Sequence, residues 1–351
     1  MYRLLPILAT WSYLAGFTTP PHDADFGATS ALLHSPGSSL AIEDQRARFR
    51  QIFCQLAQAD GVIARGDERC RAALWQLADE KVLATVEKLP KTRTDLHLVI
   101  VTGAFGDCYG ENAIPFRTGI QRLEKLGVRV DVVRVNGQSS TKHNAAQIAG
   151  YFSQTPIGSE GVVLLGYSKG AIDVLQFLDD FPSSASKVAA VISVAGPIWG
   201  TPLAGHTSGV LRHLVAPVLK SRCDPGDRGA LESLKPEVRA TWQTHHPLPP
   251  GTPFFSLEGF TTKEHLARGL RVSYALLAKH DTRNDGQLLI EDQLEPGSVL
   301  LGYVNADHWG MAITIERELH SMGARQEPNT VPLDQFLEAI WLTVGEWLEH
   351  H

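Results

Sequence analysis

Glu160–Phe181, EGVVLLGYSKGAIDVLQFLDDF, decides how the rest of the chain is read. It opens with Val162, Val163, Leu164 and Leu165, an apolar run with the length and bulk of a buried strand. Gly166-Tyr167-Ser168-Lys169-Gly170 follows, and then Ala171, Val174, Leu175 and Leu178 recur at helical spacing. A G-x-S-x-G segment between such flanks puts the serine on a tight strand-to-helix turn, where crowding excludes side chains at the two glycines. In a chain with 31 glycines the pattern alone would say little, so its flanks carry the reading.

Outward from this turn, strands and helices alternate. Leu96–Val101 (LHLVIV) reads as a strand and ends in the glycine-rich loop 102–110 (TGAFGDCYG). A helix near Ile120–Leu126, a strand at Arg129–Val135 and a helix around Ala145–Phe152 lead into the strand before Ser168. Lys187–Val194 follows as a further strand, strand patterns return at Pro253–Leu257 and Ser298–Val304, and Pro332–Trp347 reads as a closing amphipathic helix. This rhythm predicts an α/β fold with a mostly parallel central sheet and helices on both faces. It breaks between residues 196 and 251, where no strand is evident and helices are expected at Gly209–Leu219 and Ala230–Thr244. An insertion of that length between strands is where a cap or lid would sit, a static structural excursion being the alternative.

Ahead of the alternating region, 39–90 reads as a helical N-terminal extension: Phe49, Ile52, Phe53 and Leu56 share one helical face, and Ala72, Leu74, Leu77 and Ala78 continue it in a second segment. Residues 1–38 begin with one arginine and an apolar run, then turn rich in Pro, Gly, Ser and Thr. They fit a secretory or membrane-proximal leader or a packed helix, and Phe17 stands where a lipidated cysteine would be needed. The body of the fold then runs over 91–347, and 348–351 resembles the remnant of an expression tag.

Composition sets limits on partners. The net charge of -6, with 43 % hydrophobic and 20 % charged residues, is ordinary for a globular protein and argues against nucleic acid as the main partner. Four cysteines, Cys54, Cys70, Cys108 and Cys223, lack metal-ligand spacing. A Cys54–Cys70 bridge across a helical hairpin, with Cys108 and Cys223 as the other pair, would favour an exported protein, and four free thiols are the other reading.

A serine on such a turn needs a base to take its proton and an acid to orient that base. His308, in Asn305-Ala306-Asp307-His308-Trp309-Gly310 just past the last strand, falls at the same sheet edge as Ser168. The loop after Lys187–Val194 holds no carboxylate, so the acid is sought before the last strand. Asp285, in the turn tripeptide Asn284-Asp285-Gly286, is preferred to Asp281 and Asp292, and Asp307 is read as structural.

Thr102-Gly103, Gly166-Tyr167-Ser168-Lys169-Gly170, Gly200-Thr201-Pro202, Asn284-Asp285-Gly286 and His308, in this order over about Leu96–Ile313, resemble bacterial lipases and esterases of the α/β-hydrolase fold. The chain departs from many of them at Thr102, where they have histidine, and at Lys169, where they often have glutamine or methionine. The resemblance implies a serine carboxylic ester hydrolase with Ser168, Asp285 and His308 as its triad. It also implies an oxyanion hole from the backbone N–H groups of Ala104 and Lys169, Phe105 being the second choice to Ala104. Phe105, Tyr109, Tyr167, Ile198 and Trp199 are candidates for an acyl pocket. No cofactor is required, no carboxylate pattern supports a metal, and the expected partner is a small-molecule or lipid ester, with contact at a lipid interface compatible. An acyltransferase, a thioesterase or a non-catalytic binding protein on the same fold are the alternatives.

Overall fold

The computed structural model describes residues 41–62, 69–104, 106–107, 111, 114–205, 224–313 and 331–351. Its centre is a sheet of eight strands among the described residues: β1 (Glu43–Asp44), β2 (Leu74–Trp75), β3 (His97–Val101), β4 (Arg129–Val133), β5 (Val162–Tyr167), β6 (Val188–Val194), β7 (Phe254–Phe260) and β8 (Val299–Asn305). The spatial order is β1-β8-β7-β6-β5-β3-β4, every pair along it parallel, and β2 lies antiparallel on β8. The helices, in chain order, are α1 (Arg46–Ala59), α2 (Arg69–Ala72), α3 (Arg117–Lys125), α4 (Thr141–Gln154), α5 (Lys169–Asp180), α6 (Pro182–Ala185), α7 (Pro202–Gly205), α8 (Ala230–Ser233), α9 (Pro236–His245), α10 (Arg271–Leu277) and α11 (Leu333–His350).

The period-two alternation of each central strand sorts its side chains between two cores. Leu98, Ile100, Val163 and Leu165 join Phe255, Leu257 and Leu301 in one core, closed by Phe49, Ile52 and Phe53 of α1, Leu123 of α3 and Phe336 and Ile340 of α11. Val99, Val101, Val162 and Leu164 face the other, closed by Ile148 and Phe152 of α4 and Val174, Leu175 and Leu178 of α5. Both faces are therefore covered, and that is why the strands read as continuous apolar runs. Phe336 locks the first core, with edge or tilted contacts to Phe49, Phe53 and Phe116 at 5.7, 5.8 and 6.4 Å.

The N-terminal region departs from its sequence reading. Its first amphipathic helix forms as α1, but the second shrinks to the single turn α2, and Leu74–Trp75 pairs as an edge strand with Tyr303 and Val304. Positions 74 and 77 are three apart, a helical spacing, and pairing to β8 overrides it. Trp75 stacks on Phe260 at 5.1 Å and donates its Nε1–H to the Phe260 carbonyl. Cys54 and Cys70 form a disulfide joining α1 to α2. The expected helix at Ala230–Thr244 is two, α8 and α9, because Pro236 cannot lie inside a helix and its predecessor Lys235 is extended, with φ -67 and ψ 136. The tail set aside as a tag remnant continues α11 through His350, and the His351 ring stacks on Trp347 at 4.0 Å. The leader-like segment, the helix expected at Gly209–Leu219, and Cys108 and Cys223 lie outside the described residues. Among the described residues no helix is long and apolar enough to cross a membrane.

Candidate active site

Ser168 joins β5 to α5 with φ 54 and ψ -132, a conformation that a residue with a side chain adopts only when its surroundings impose it. The flanking glycines show what imposes it. A Cβ on Gly166 would lie 2.4 Å from the Ala171 Cα, and one on Gly170 would lie 2.5 Å from the Val101 carbonyl oxygen. The helix start is thus pressed against the ends of β3 and β5, and the serine projects from the bend.

His308 follows β8 by three residues, on the sheet edge that also carries Ser168. Its Nε2 lies 2.8 Å from Ser168 Oγ and its Nδ1 2.6 Å from Asp285 Oδ2. The backbone is fastened too: the His308 N–H donates to the Asp285 carbonyl at 2.8 Å, and the His308 carbonyl accepts the Tyr167 hydroxyl at 2.6 Å. Asp285 is fully buried, and its Oδ1 accepts the N–H groups of Gln287 at 2.8 Å and Leu288 at 2.7 Å. The bend presenting it depends on Asn284, whose Oδ1 accepts the Gly286 N–H, and on Gly286 with φ +90. Asp285 Oδ1 is thus taken by two N–H donors while its Oδ2 faces His308 Nδ1, and His308 Nε2 faces Ser168 Oγ.

None of the other acidic candidates is shown bonded to His308. Asp281 pairs with Arg283 at 2.6 Å. Asp292 is pushed up to about 7, chiefly by burial, and one of its oxygens has no partner among the described residues. Asp307 caps its own loop, accepting the N–H groups of Ala267 and Gly310, and burial raises it above the usual carboxylate range.

Of the two expected oxyanion donors, Lys169 is the first residue of α5, so its N–H has no partner within the helix and sits at the positive end of the helix dipole. The loop bearing Ala104 closes on the serine from β3: a Cβ on Gly103 would lie 2.8 Å from Ser168 Cβ. Phe105 and Tyr109 lie outside the described residues. The structure places three of the residues expected to line an acyl pocket. Tyr167 is spent on the His308 carbonyl, Ile198 is fully buried in the core of α4 and α5, and Trp199 packs against that core and donates to the Leu294 carbonyl. No group of three or more His, Cys, Asp or Glu residues that could hold a metal occurs among the described residues.

No family model and no curated protein sequence matches the chain. Among solved structures, the metagenomic carboxyl esterase MGS0156 superposes with a TM-score of 0.80 at 34 % identity, over 91 % of this chain and 98 % of that one. The chain belongs to this carboxyl esterase family. Lipase 1 from Pelosinus fermentans shares the fold of this chain at a TM-score of 0.52 and 12 % identity, over 72 % of this chain and 99 % of that one. The mostly parallel sheet with helices on both faces is the α/β-hydrolase architecture of these neighbours, and the esterase is a carboxylesterase or lipase-like hydrolase.

Proposed function

We propose that the esterase cleaves carboxylic esters through an acyl-enzyme on Ser168. The observation that carries this reading is the relay Ser168 Oγ, His308 Nε2, His308 Nδ1, Asp285 Oδ2, with steps of 2.8 and 2.6 Å at a buried sheet edge. As the serine oxygen attacks the ester carbonyl, its proton passes to His308 Nε2. Asp285 holds the tautomer and stabilises the imidazolium. The carbonyl oxygen gathers negative charge and is met by the N–H groups of Lys169 and Ala104, each such donor contributing about two to three powers of ten in rate. His308 then protonates the leaving alcohol, and water repeats the sequence on the acyl-enzyme. All of these groups belong to the chain itself.

The test is hydrolysis of p-nitrophenyl esters from acetate to palmitate by the wild-type protein and Ser168→Ala. Turnover that falls by at least about a thousandfold in the variant supports the nucleophile, and the chain-length optimum separates a short-chain esterase from a lipase. Failure of the folded wild-type protein on every chain length overturns the reading.

A further inference from the structure

Lys169, the departure after the nucleophile, has a side chain that goes inward. It is 1 % exposed, and its Nζ lies 2.6 Å from Oδ1 of Asp173, one turn along α5 and itself fully buried. Asp173 Oδ2 accepts the Asn144 Nδ2–H of α4 at 2.8 Å, and that same amide donates to the Asn136 carbonyl at 3.0 Å. Gln147 of α4 accepts the Asn136 N–H at 2.9 Å, and the next residue, Gly137, donates its N–H to Oδ1 of Asp107 at 3.1 Å. Asp107 stands in the loop that Gly103 and Ala104 begin. One chain of polar contacts therefore starts at the first proposed oxyanion donor and ends in the loop of the second.

A buried ion pair is a poor way to stabilise a helix, since apolar residues of similar volume are often as good or better. What it adds is direction. A short charge-assisted bond within one turn fixes the first residue of α5, whose N–H must meet a developing oxyanion within a few tenths of an ångström. We propose that Lys169, Asp173 and Asn144 are positioning residues that set the two halves of the oxyanion hole against each other, with the Lys169 side chain holding its own backbone N–H in aim. The proposal rests on the serine esterase reading, and it gives the buried lysine side chain a role.

The experiment compares Lys169→Met/Asp173→Leu, which removes both charges, and Asn144→Ala, which keeps the ion pair and cuts its link to 136–137. For each, kcat and KM on p-nitrophenyl butyrate are measured with the Ki of an alkyl trifluoromethyl ketone, which forms a tetrahedral oxyanion adduct on the serine. The double variant is expected to fold, to lose about a hundredfold in kcat with KM within about twofold, and to bind the ketone weaker by the same factor. Asn144→Ala is expected to lose about tenfold in the same pattern, and it decides the matter should the double variant not fold. Wild-type kcat and Ki in either folded variant, or a loss appearing in KM instead, overturns the proposal. Equal hydrolysis by wild type and Ser168→Ala would instead overturn the underlying reading.

Discussion

Asp285 and Glu258 are carboxylates equally hidden from water, one fully buried and the other 1 % exposed, and their surroundings treat them in opposite ways. Three donors converge on Asp285: two backbone N–H groups on one oxygen and the His308 ring on the other. That arrangement accommodates a negative charge inside a protein. Glu258, on β7, has one oxygen without a partner among the described residues, and burial raises it well above the ordinary glutamate value against the pull of Arg46. Arg46 is itself committed to Asp44 at 2.8 Å and Asp79 at 3.0 Å. Tyr303, in register beside Glu258 on β8, likewise keeps a buried hydroxyl without a partner among these residues. The first cluster is rich in hydrogen-bond donors, and the second leaves a buried carboxyl oxygen and a buried hydroxyl without partners among the described residues. Disturbing the first should therefore cost activity, and disturbing the second should change stability and its dependence on pH.

The largest expected effect is at Asp285→Asn. The amide can still accept the Gln287 and Leu288 N–H bonds, so the bend survives, but its NH2 group would face His308 Nδ1 and favour the wrong tautomer. In serine triads this lowers kcat by about 10⁴-fold with little structural change. Kinetics together with a melting curve checks it, and a loss under tenfold would remove Asp285 from the relay and dissolve the contrast with Glu258.

The second cluster lies beneath the N-terminal segment, which the Cys54–Cys70 bridge fastens. Replacing both cysteines with alanine frees a loop of sequence separation 16, which is expected to cost about 3 kcal/mol of unfolding free energy. Urea titration measures that loss. The kcat should stay within about twofold, and a parallel collapse of kcat would show that the two clusters are not independent.

How legible each cluster was follows from what kind of interaction makes it. Ser168 and His308 could be found because local patterns state their positions: a serine between a strand and a helix, and a histidine just past the last strand. Asp285 was legible through Asn284 and Gly286, residues that bend the chain for reasons of their own. Lys169 and Asp173 look in sequence like any surface pair four residues apart, and only the approach of α4 shows them to be buried. Glu258 sits in an apolar strand with nothing nearby in sequence to mark it, since Arg46, the charge that acts on it, lies about two hundred residues earlier. Leu74–Trp75 failed as a helix for the same reason: a partner distant in sequence, β8, decides its conformation.

A pH-dependent effect should come from Glu258→Gln. With its folded-state pKa raised, Glu258 keeps its proton after the unfolded chain has lost the corresponding one. Wild-type stability is thus intact below the ordinary value of 4.5 and declines as pH rises from there toward the folded-state value. Glutamine carries no such penalty, so the variant should match wild type near pH 4 and gain on it by about 1.4 kcal/mol per pH unit above 4.5 until the buried group ionises. Denaturant titrations at several pH values give the slope. A pH-independent difference would mean that Glu258 is charged in the folded state and that the two carboxylates are treated alike.

The smallest and most discriminating comparison uses one chemical change at two sites, Tyr167→Phe and Tyr303→Phe. Each deletes one buried hydroxyl and keeps the ring. At position 167 the lost bond leaves the His308 carbonyl unsatisfied, a cost of about 1–3 kcal/mol in stability with a several-fold fall in kcat as His308 loses one of its anchors. At position 303 no bond is lost, and relieving a desolvated hydroxyl should leave stability unchanged or raise it by about 1 kcal/mol or less. Melting curves and kcat on one ester settle both. If Tyr303→Phe destabilises as much as Tyr167→Phe, the hydroxyl has a partner after all, and a buried water joining it to Glu258 would fit. The second cluster would then be a satisfied network like the first, and the difference between the two carboxylates would lie in what donates to them and not in whether anything does.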